Sequence, residues 1–129
     1  MKILLAPSET KKSGGTLSFN PSTLLFESLL PYRTKLLHTY INLLQQGELQ
    51  VLSKMFGIKK EADILKYKKD IIHELTMKAV ERYTGVAFNY LGYNELTPNA
   101  QTYIDNNVIL FSNLFGPIRA SLYNYQCFK

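Results

Sequence analysis

Apolar positions along the chain recur at two periods. Lys2 to Ala6 is a short apolar run closed by Pro7, the pattern of a buried first strand. Asn20-Pro21-Ser22 is a cap signal, and Leu24, Leu25, Phe26, Leu29 and Leu30 after it predict a short helix. Pro31 interrupts that helix and opens the next. There Leu36, Leu37, Tyr40, Ile41 and Leu44 recur every three or four residues up to Gln46, and Gly47 follows as a stop. Glu48 to Phe56 predicts a third helix, with Leu49, Leu52 and Phe56 inward and Gly57 at its end. The fourth predicted helix is the longest, Lys60 to Tyr83, with Ile64, Tyr67, Ile71, Leu75 and Ala79 in one stripe. On it Glu74 and Lys78 form an i, i+4 pair worth a few tenths of a kcal/mol.

Tyr83-Thr84-Gly85 reads as a turn into a strand at Val86-Ala87-Phe88, and Asn89 to Asn94 as an aromatic loop. Thr97-Pro98 opens a helix through Asn106. Val108 to Phe111 predicts a buried strand, with Ser112 to Pro117 as the loop at its end and Arg119 behind it. Short apolar strands between helices predict a mixed α/β (α+β) fold, helix-rich, in a single domain over residues 1–129.

Composition narrows the class. A hydrophobic content of 46% with 12% aromatic residues argues for a folded globule and against disorder. The formal charge of +5 favours an anionic partner such as nucleic acid, although a soluble domain can carry as much for solubility alone. Cys127 is the one cysteine, so no internal disulfide forms and nothing points to an oxidising compartment. No apolar run reaches the ~18 residues of a membrane helix, and the amino-terminal run is too short for a signal peptide. The expectation is a cytoplasmic chain with no membrane partner.

Candidate chemistry is sparse. His38 and His73 have no Cys, Asp or Glu at a ligand spacing, so no metal site is expected. No GK[ST] or phosphate-loop glycine spacing is present, and no cofactor is implied. Ser8 lacks a G-x-S-x-G setting, and Glu9 with Asp105 or Glu81 gives no supported acid/base pair, so no catalytic residue is assigned. The aromatic group Tyr83, Phe88, Tyr90 and Tyr93 suits base stacking or, more commonly, interior packing.

The charge is concentrated in one stretch. Leu52 to Lys69 holds six lysines against Glu61 and Asp63, a net +4. Gly57-Ile58 between two short apolar helices resembles a degenerate helix-hairpin-helix, an element that grips double-stranded DNA by its backbone without reading sequence. On that reading Gly57, Lys59 and Lys60 meet phosphates, with Lys54, Lys66 and Lys69 as secondary charge. The alternative is an ordinary helix–glycine–helix corner with a solvated lysine face. A second candidate site is a pocket at the strand ends. It joins Ser8 and Lys11, in the loop leaving the first strand, with Tyr83 and Arg119, and would hold a phosphate or carboxylate.

Three islands together resemble the peroxide stress protein YaaA family. Met1 to Lys11 is similar to the family's ILLSPAKT start, Arg82 to Leu91 to its GDVYxGL region, and Val108 to Arg119 to LSGLYGLLRPLD. Pro7, Ser8, Gly116 and Arg119 match family positions, whereas Asn113 stands for a glycine and Ala120 for the proline after the arginine. Ser121 to Lys129 does not continue the pattern, so the resemblance covers only the family's amino-terminal half. The resemblance implies a cytoplasmic protein limiting oxidative damage from peroxide, with DNA binding, a helix-hairpin-helix and a fold peculiar to the family. An incomplete fold would leave apolar surface and a strand edge exposed, which predicts self-association. Two other readings stand beside it: an enzyme using the strand-end pocket, and a truncated, nonfunctional remnant.

Overall fold

In the computed structural model, which describes residues 1–68, 71 and 73–124, the chain opens with strand β1 (Ile3–Leu5). Two 3-10 turns, Pro21–Thr23 and Glu27–Leu29, lead into helices α1 (Leu30–Gln46), α2 (Leu49–Phe56) and α3 (Glu61–Leu65). Strand β2 (Met77–Lys78) runs directly into α4 (Ala79–Arg82), and α5 (Val86–Leu91), a 3-10 turn at Tyr93–Glu95 and α6 (Pro98–Asn107) follow. Strands β3 (Val108–Ser112), β4 (Gly116–Arg119) and β5 (Tyr123–Asn124) come last. The class is the expected mixed α/β.

β1 and β3 pair in parallel, with Leu4 beside Ile109, and β4 folds back antiparallel along β3. The sheet order is therefore β1-β3-β4, and β2 pairs separately with β5. The register sends Leu5, Val108, Leu110 and Ile118 to one face, where Leu110 and Ile118 are fully buried among Ala79, Val80, Phe115 and Leu122. A second apolar cluster joins α1, α2 and α3 through Ile41, Leu44, Leu52, Phe56 and Ile64, with Ile71 beyond. Leu37 and Tyr40 of α1 pack against both clusters, so one helix couples the two cores. Each fully buried aliphatic side chain of this kind contributes about 1.5–3 kcal/mol of transfer free energy.

Helices α1, α2 and α6 lie where the periodicity places them. Thr97 caps α6, its hydroxyl accepting from the Ala100 N–H at 3.4 Å, with Pro98 in the first turn. Other elements differ. Leu24 to Leu30 forms no regular helix of its own: it holds a single 3-10 turn at Glu27–Leu29 before Leu30 opens α1, and Phe26 ahead of that turn takes a left-handed conformation (φ 59°). Val86 to Phe88 begins α5 and not a strand, and residues 89–91 complete that helix. β1 is not buried: among the described residues it pairs only with β3, and Leu4 is 65% exposed.

The long helix from Lys60 to Tyr83 does not form. Among the described residues helix persists to Leu65, and residues 69, 70 and 72 of the expected span lie outside them. Further on, Thr76 is held against Leu17 by backbone bonds in both directions and by its hydroxyl, which donates to the Leu17 carbonyl at 2.6 Å. β2 then pairs with β5. These long-range pairings outweigh a helical period that leaves Leu75 half exposed.

Two buried arginines join distant segments. Arg82 is 0% exposed. Its Nη1 donates to the Lys12 carbonyl (2.7 Å) and its Nη2 to the carbonyls of Leu75 (3.2 Å) and Asn124 (3.1 Å). Arg33 of α1 donates through Nε to the Phe115 carbonyl at 2.8 Å and through Nη1 to that of Leu25. It thereby holds the β3–β4 turn against the 3-10 segment.

Arg82→Met keeps most of the volume but removes the donor to three carbonyls, of which that of Asn124 is buried. We expect it to lower the unfolding free energy by about 3 kcal/mol in urea titrations, more than any single exposed lysine substitution. A loss within 0.5 kcal/mol or so would show that these bonds contribute little.

Candidate functional site

The lysine-rich corner is built on a closed glycine turn. Gly57 takes φ 68° and ψ 22°, the left-handed conformation a helix end often needs, and its N–H returns to the Ser53 carbonyl. The Ile58 N–H donates to the same carbonyl at 3.2 Å, and the Ser53 hydroxyl donates to the Ile58 carbonyl at 2.7 Å. Ile58 packs against the helical cluster, which fixes the turn from inside. Lys54, Lys59 and Lys60 project outward and are exposed.

Lys66 is also exposed, but its ammonium donates to Asp63 at 2.6 Å. The hydrogen bond and charge of Lys66 lower the Asp63 pKa, and Asp63 raises that of Lys66 in the same way. Lys66 is therefore partly neutralised, and Lys69 lies outside the described residues. The strongest positive group on this corner is Lys54, Lys59 and Lys60 around Gly57.

The other candidate residues divide into two places. Ser8, Lys11 and Tyr83 come together. Lys11 and Tyr83 face each other in an isolated antiparallel bridge, and the Lys11 ammonium sits 5.2 Å from the Tyr83 ring centre. That ammonium also donates to the Ser8 and Glu9 carbonyls at 3.4 and 3.3 Å. The Ser8 hydroxyl lies 3.1 Å from that of Thr10 and accepts from the Thr10 N–H at 3.2 Å. Gly85 closes the group: a Cβ there would stand 3.1 Å from the Ser8 Oγ, and φ 106° disfavours a side chain.

Arg119 is not part of this group. The hairpin carries β4 back along β3, so Arg119 lies beside Ile109, toward the start of β3. Ser8 follows β1 beyond its carboxyl end, which the parallel register places at the opposite end of the sheet. Arg119 instead lines a cleft of about 430 Å³ with Leu17, Ser18, Asn20, Ser121 and Tyr123. The expectation of a loop arginine fails because the chain resumes as a strand at Gly116, immediately after the turn.

A polar cluster that no motif signals lies between β2, the Tyr93 turn and α6. Lys78 donates to Asp105 Oδ2 at 2.7 Å and to the Tyr93 hydroxyl at 2.9 Å, and that hydroxyl donates to Asp105 Oδ1 at 2.8 Å. Burial alone would lower the Lys78 pKa, but the hydrogen bonds to Asp105 and Tyr93 and their charges outweigh it and raise it. Burial pushes the Tyr93 hydroxyl upward as well. Periodicity pairs Lys78 with Glu74 on a helix; in the fold Lys78 is in a strand and its carboxylate partner is 27 residues later.

Among known proteins, the family model described as "Peroxide stress protein YaaA" matches residues 1–125. An uncharacterized protein of Campylobacter jejuni is 40% identical over 122 residues, covering 94% of this chain and 50% of that protein. A UPF0246 protein of Corynebacterium efficiens is 34% identical over 122 residues, covering 93% of this chain and 46% of its own length. The chain thus spans about half the length of the curated relatives it matches.

The Lys78 cluster has a defined pH signature. Raised pKa values for Lys78 and Tyr93 mean that the fold favours their protonated forms. Their contribution is complete below the ordinary lysine value of ~10.4 and is lost as pH rises past it. Lys78→Met is expected to cost about 2 kcal/mol at pH 7. In denaturant titrations across pH, that difference should narrow above roughly pH 10.5. A difference that is absent at pH 7, or constant into strong alkali, would contradict a stabilising ammonium.

Proposed function

This chain belongs to the peroxide stress protein YaaA family, and on that footing we propose that it acts in peroxide-stress protection by binding double-stranded DNA without sequence specificity. The contact surface is the α2–α3 corner, serving as a helix-hairpin-helix-like element in the cytoplasm. Gly57, Lys59 and Lys60 meet the phosphates, Lys54 extends the contact, and Lys66 and Lys69 add secondary charge.

The observation that carries this reading is the set of exposed lysines around a turn fixed by Gly57, Ser53 and the inward-packed Ile58. A backbone-binding surface needs cations on a stiff support, because phosphate contacts position a protein on the duplex through charge and geometry. The overall positive charge favours the same partner.

A second reading is favoured by the convergence of Ser8, Lys11 and Tyr83 beside the glycine at position 85. Hydroxyls and an ammonium at the carboxyl end of a strand suit a small phosphate or carboxylate ligand. On this reading Arg119 serves a separate cleft. Ser8→Ala with Lys11→Ala then weakens binding of inorganic phosphate without altering DNA affinity.

Duplex binding across a salt series separates the two. The parent affinity should fall linearly in a log–log plot. Lys59→Ala/Lys60→Ala should weaken binding to unrelated duplexes about equally and lower the salt slope by about 2. An unchanged affinity and slope would remove the corner from the account.

A further inference from the structure

The cleft that Arg119 lines has two walls, each fixed from outside it. On one side Leu17 is bound to Thr76 through backbone and hydroxyl. Asn20 then caps the Pro21–Thr23 turn, its Oδ1 accepting from the Ser22 N–H at 3.1 Å and the Ser22 hydroxyl at 2.7 Å. On the other side the Leu122 N–H donates to the Arg119 carbonyl at 3.0 Å, which closes a tight turn, and Tyr123 follows in β5 against Lys78. The Ser121 hydroxyl ties that turn to the Asp105 carbonyl at 3.3 Å. The space between the walls is about 430 Å³, within the roughly 300–1,000 Å³ of small-molecule sites.

The chemistry of the cleft is one-sided. None of its described lining residues is an acid. Among the described residues no hydrogen bond or ion pair takes up the Arg119 guanidinium, the Asn20 amide hydrogens or the hydroxyls of Ser18 and Tyr123. All four groups can donate, and Arg119 presents its donors in the rigid fork that fits a carboxylate or a phosphate. Apolar surface adjoins them, since Leu17, 51% exposed, and Leu122 line the same space. We propose that this cleft binds a small organic oxyanion, a carboxylate or phosphate monoester carried on an apolar or aromatic body. The anionic end pairs with Arg119, and the body lies against Leu17 and Leu122. An arginine by itself accepts any anion; the apolar wall beside it selects an organic one. The cleft shares no residue with the lysine corner or with the Ser8 and Lys11 group, so the inference stands apart from both readings of those sites.

The test titrates the full chain with phenyl phosphate, benzoate, inorganic phosphate and neutral benzyl alcohol, followed by proton–nitrogen NMR. Saturable shifts at the Arg119 Nε–H and at the backbone amides of Ser18 and Tyr123 are expected with phenyl phosphate or benzoate, and the tighter of the two identifies the head group. Arg119→Met should weaken that binding about tenfold or more, the loss expected for a charge-assisted pair. Leu17→Ala should weaken it as well while leaving inorganic phosphate unaffected. Ser8→Ala/Lys11→Ala and Lys59→Ala/Lys60→Ala should leave it intact. Arg119 and Leu17 have exposed side chains, so both variants should keep the parent's melting temperature. No saturable shift with either organic anion, equal binding of benzyl alcohol, binding lost in the Ser8→Ala/Lys11→Ala variant, or an Arg119→Met or Leu17→Ala variant that binds as tightly as the parent would each overturn the proposal.

Discussion

The Arg82 guanidinium gathers the carbonyls of Lys12, Leu75 and Asn124, three points that are far apart in sequence, and it is completely buried in doing so. Taking a charge out of water costs several kcal/mol unless hydrogen bonds replace its hydration. Here backbone oxygens supply that replacement. The consequence reaches beyond one residue. Lys12 fixes the end of the loop that carries Ser8 and Lys11, Leu75 adjoins Thr76 and β2, and Asn124 ends β5. The same short helix sends Ala79 and Val80 into the core and passes directly to Tyr83.

Arg33 performs a similar office at the β3–β4 turn. It reaches from α1 to the β3–β4 turn, while Leu37 and Tyr40, a turn or two along, join the sheet core to the helical core. The lysine corner is thus not an appendage. α2 buries Leu52 and Phe56 in the cluster that α1 shares, so the orientation of Lys54, Lys59 and Lys60 follows from the packing of α1 against the sheet.

The candidate surfaces rest on different parts of this framework. The cationic corner is supported by the helical core. The hydroxyl and ammonium group at Ser8 and Lys11 is supported by the Arg82 node. The open sheet face lies opposite the apolar core. A basic surface of the kind proposed and an uncovered apolar face place different demands on their surroundings. The first needs solvent-exposed ammonium groups on a firm turn. The second needs a flat array of strands with one side left uncovered.

The family islands, the mixed class, α1, α2 and α6 with its Thr97 cap, and the lysine stretch around Gly57 are legible in the sequence, because each depends on neighbours within a few turns. Spacings of three and four place Ile41, Leu44, Leu52 and Phe56 inward whatever the rest of the chain does. The stretch from Thr76 to Arg82 is not legible in this way. Its strand and single helical turn exist because Leu17, Leu122 and Ala120 offer backbone partners. The Lys78–Tyr93–Asp105 cluster and the separation of Arg119 from Ser8 are likewise decided by topology. The parallel register of β1 with β3 and the antiparallel return of β4 bring together, or hold apart, residues that no local period relates. Local periodicity sets which side of an element is apolar; only long-range pairing sets which elements meet, and with them which side chains share a site.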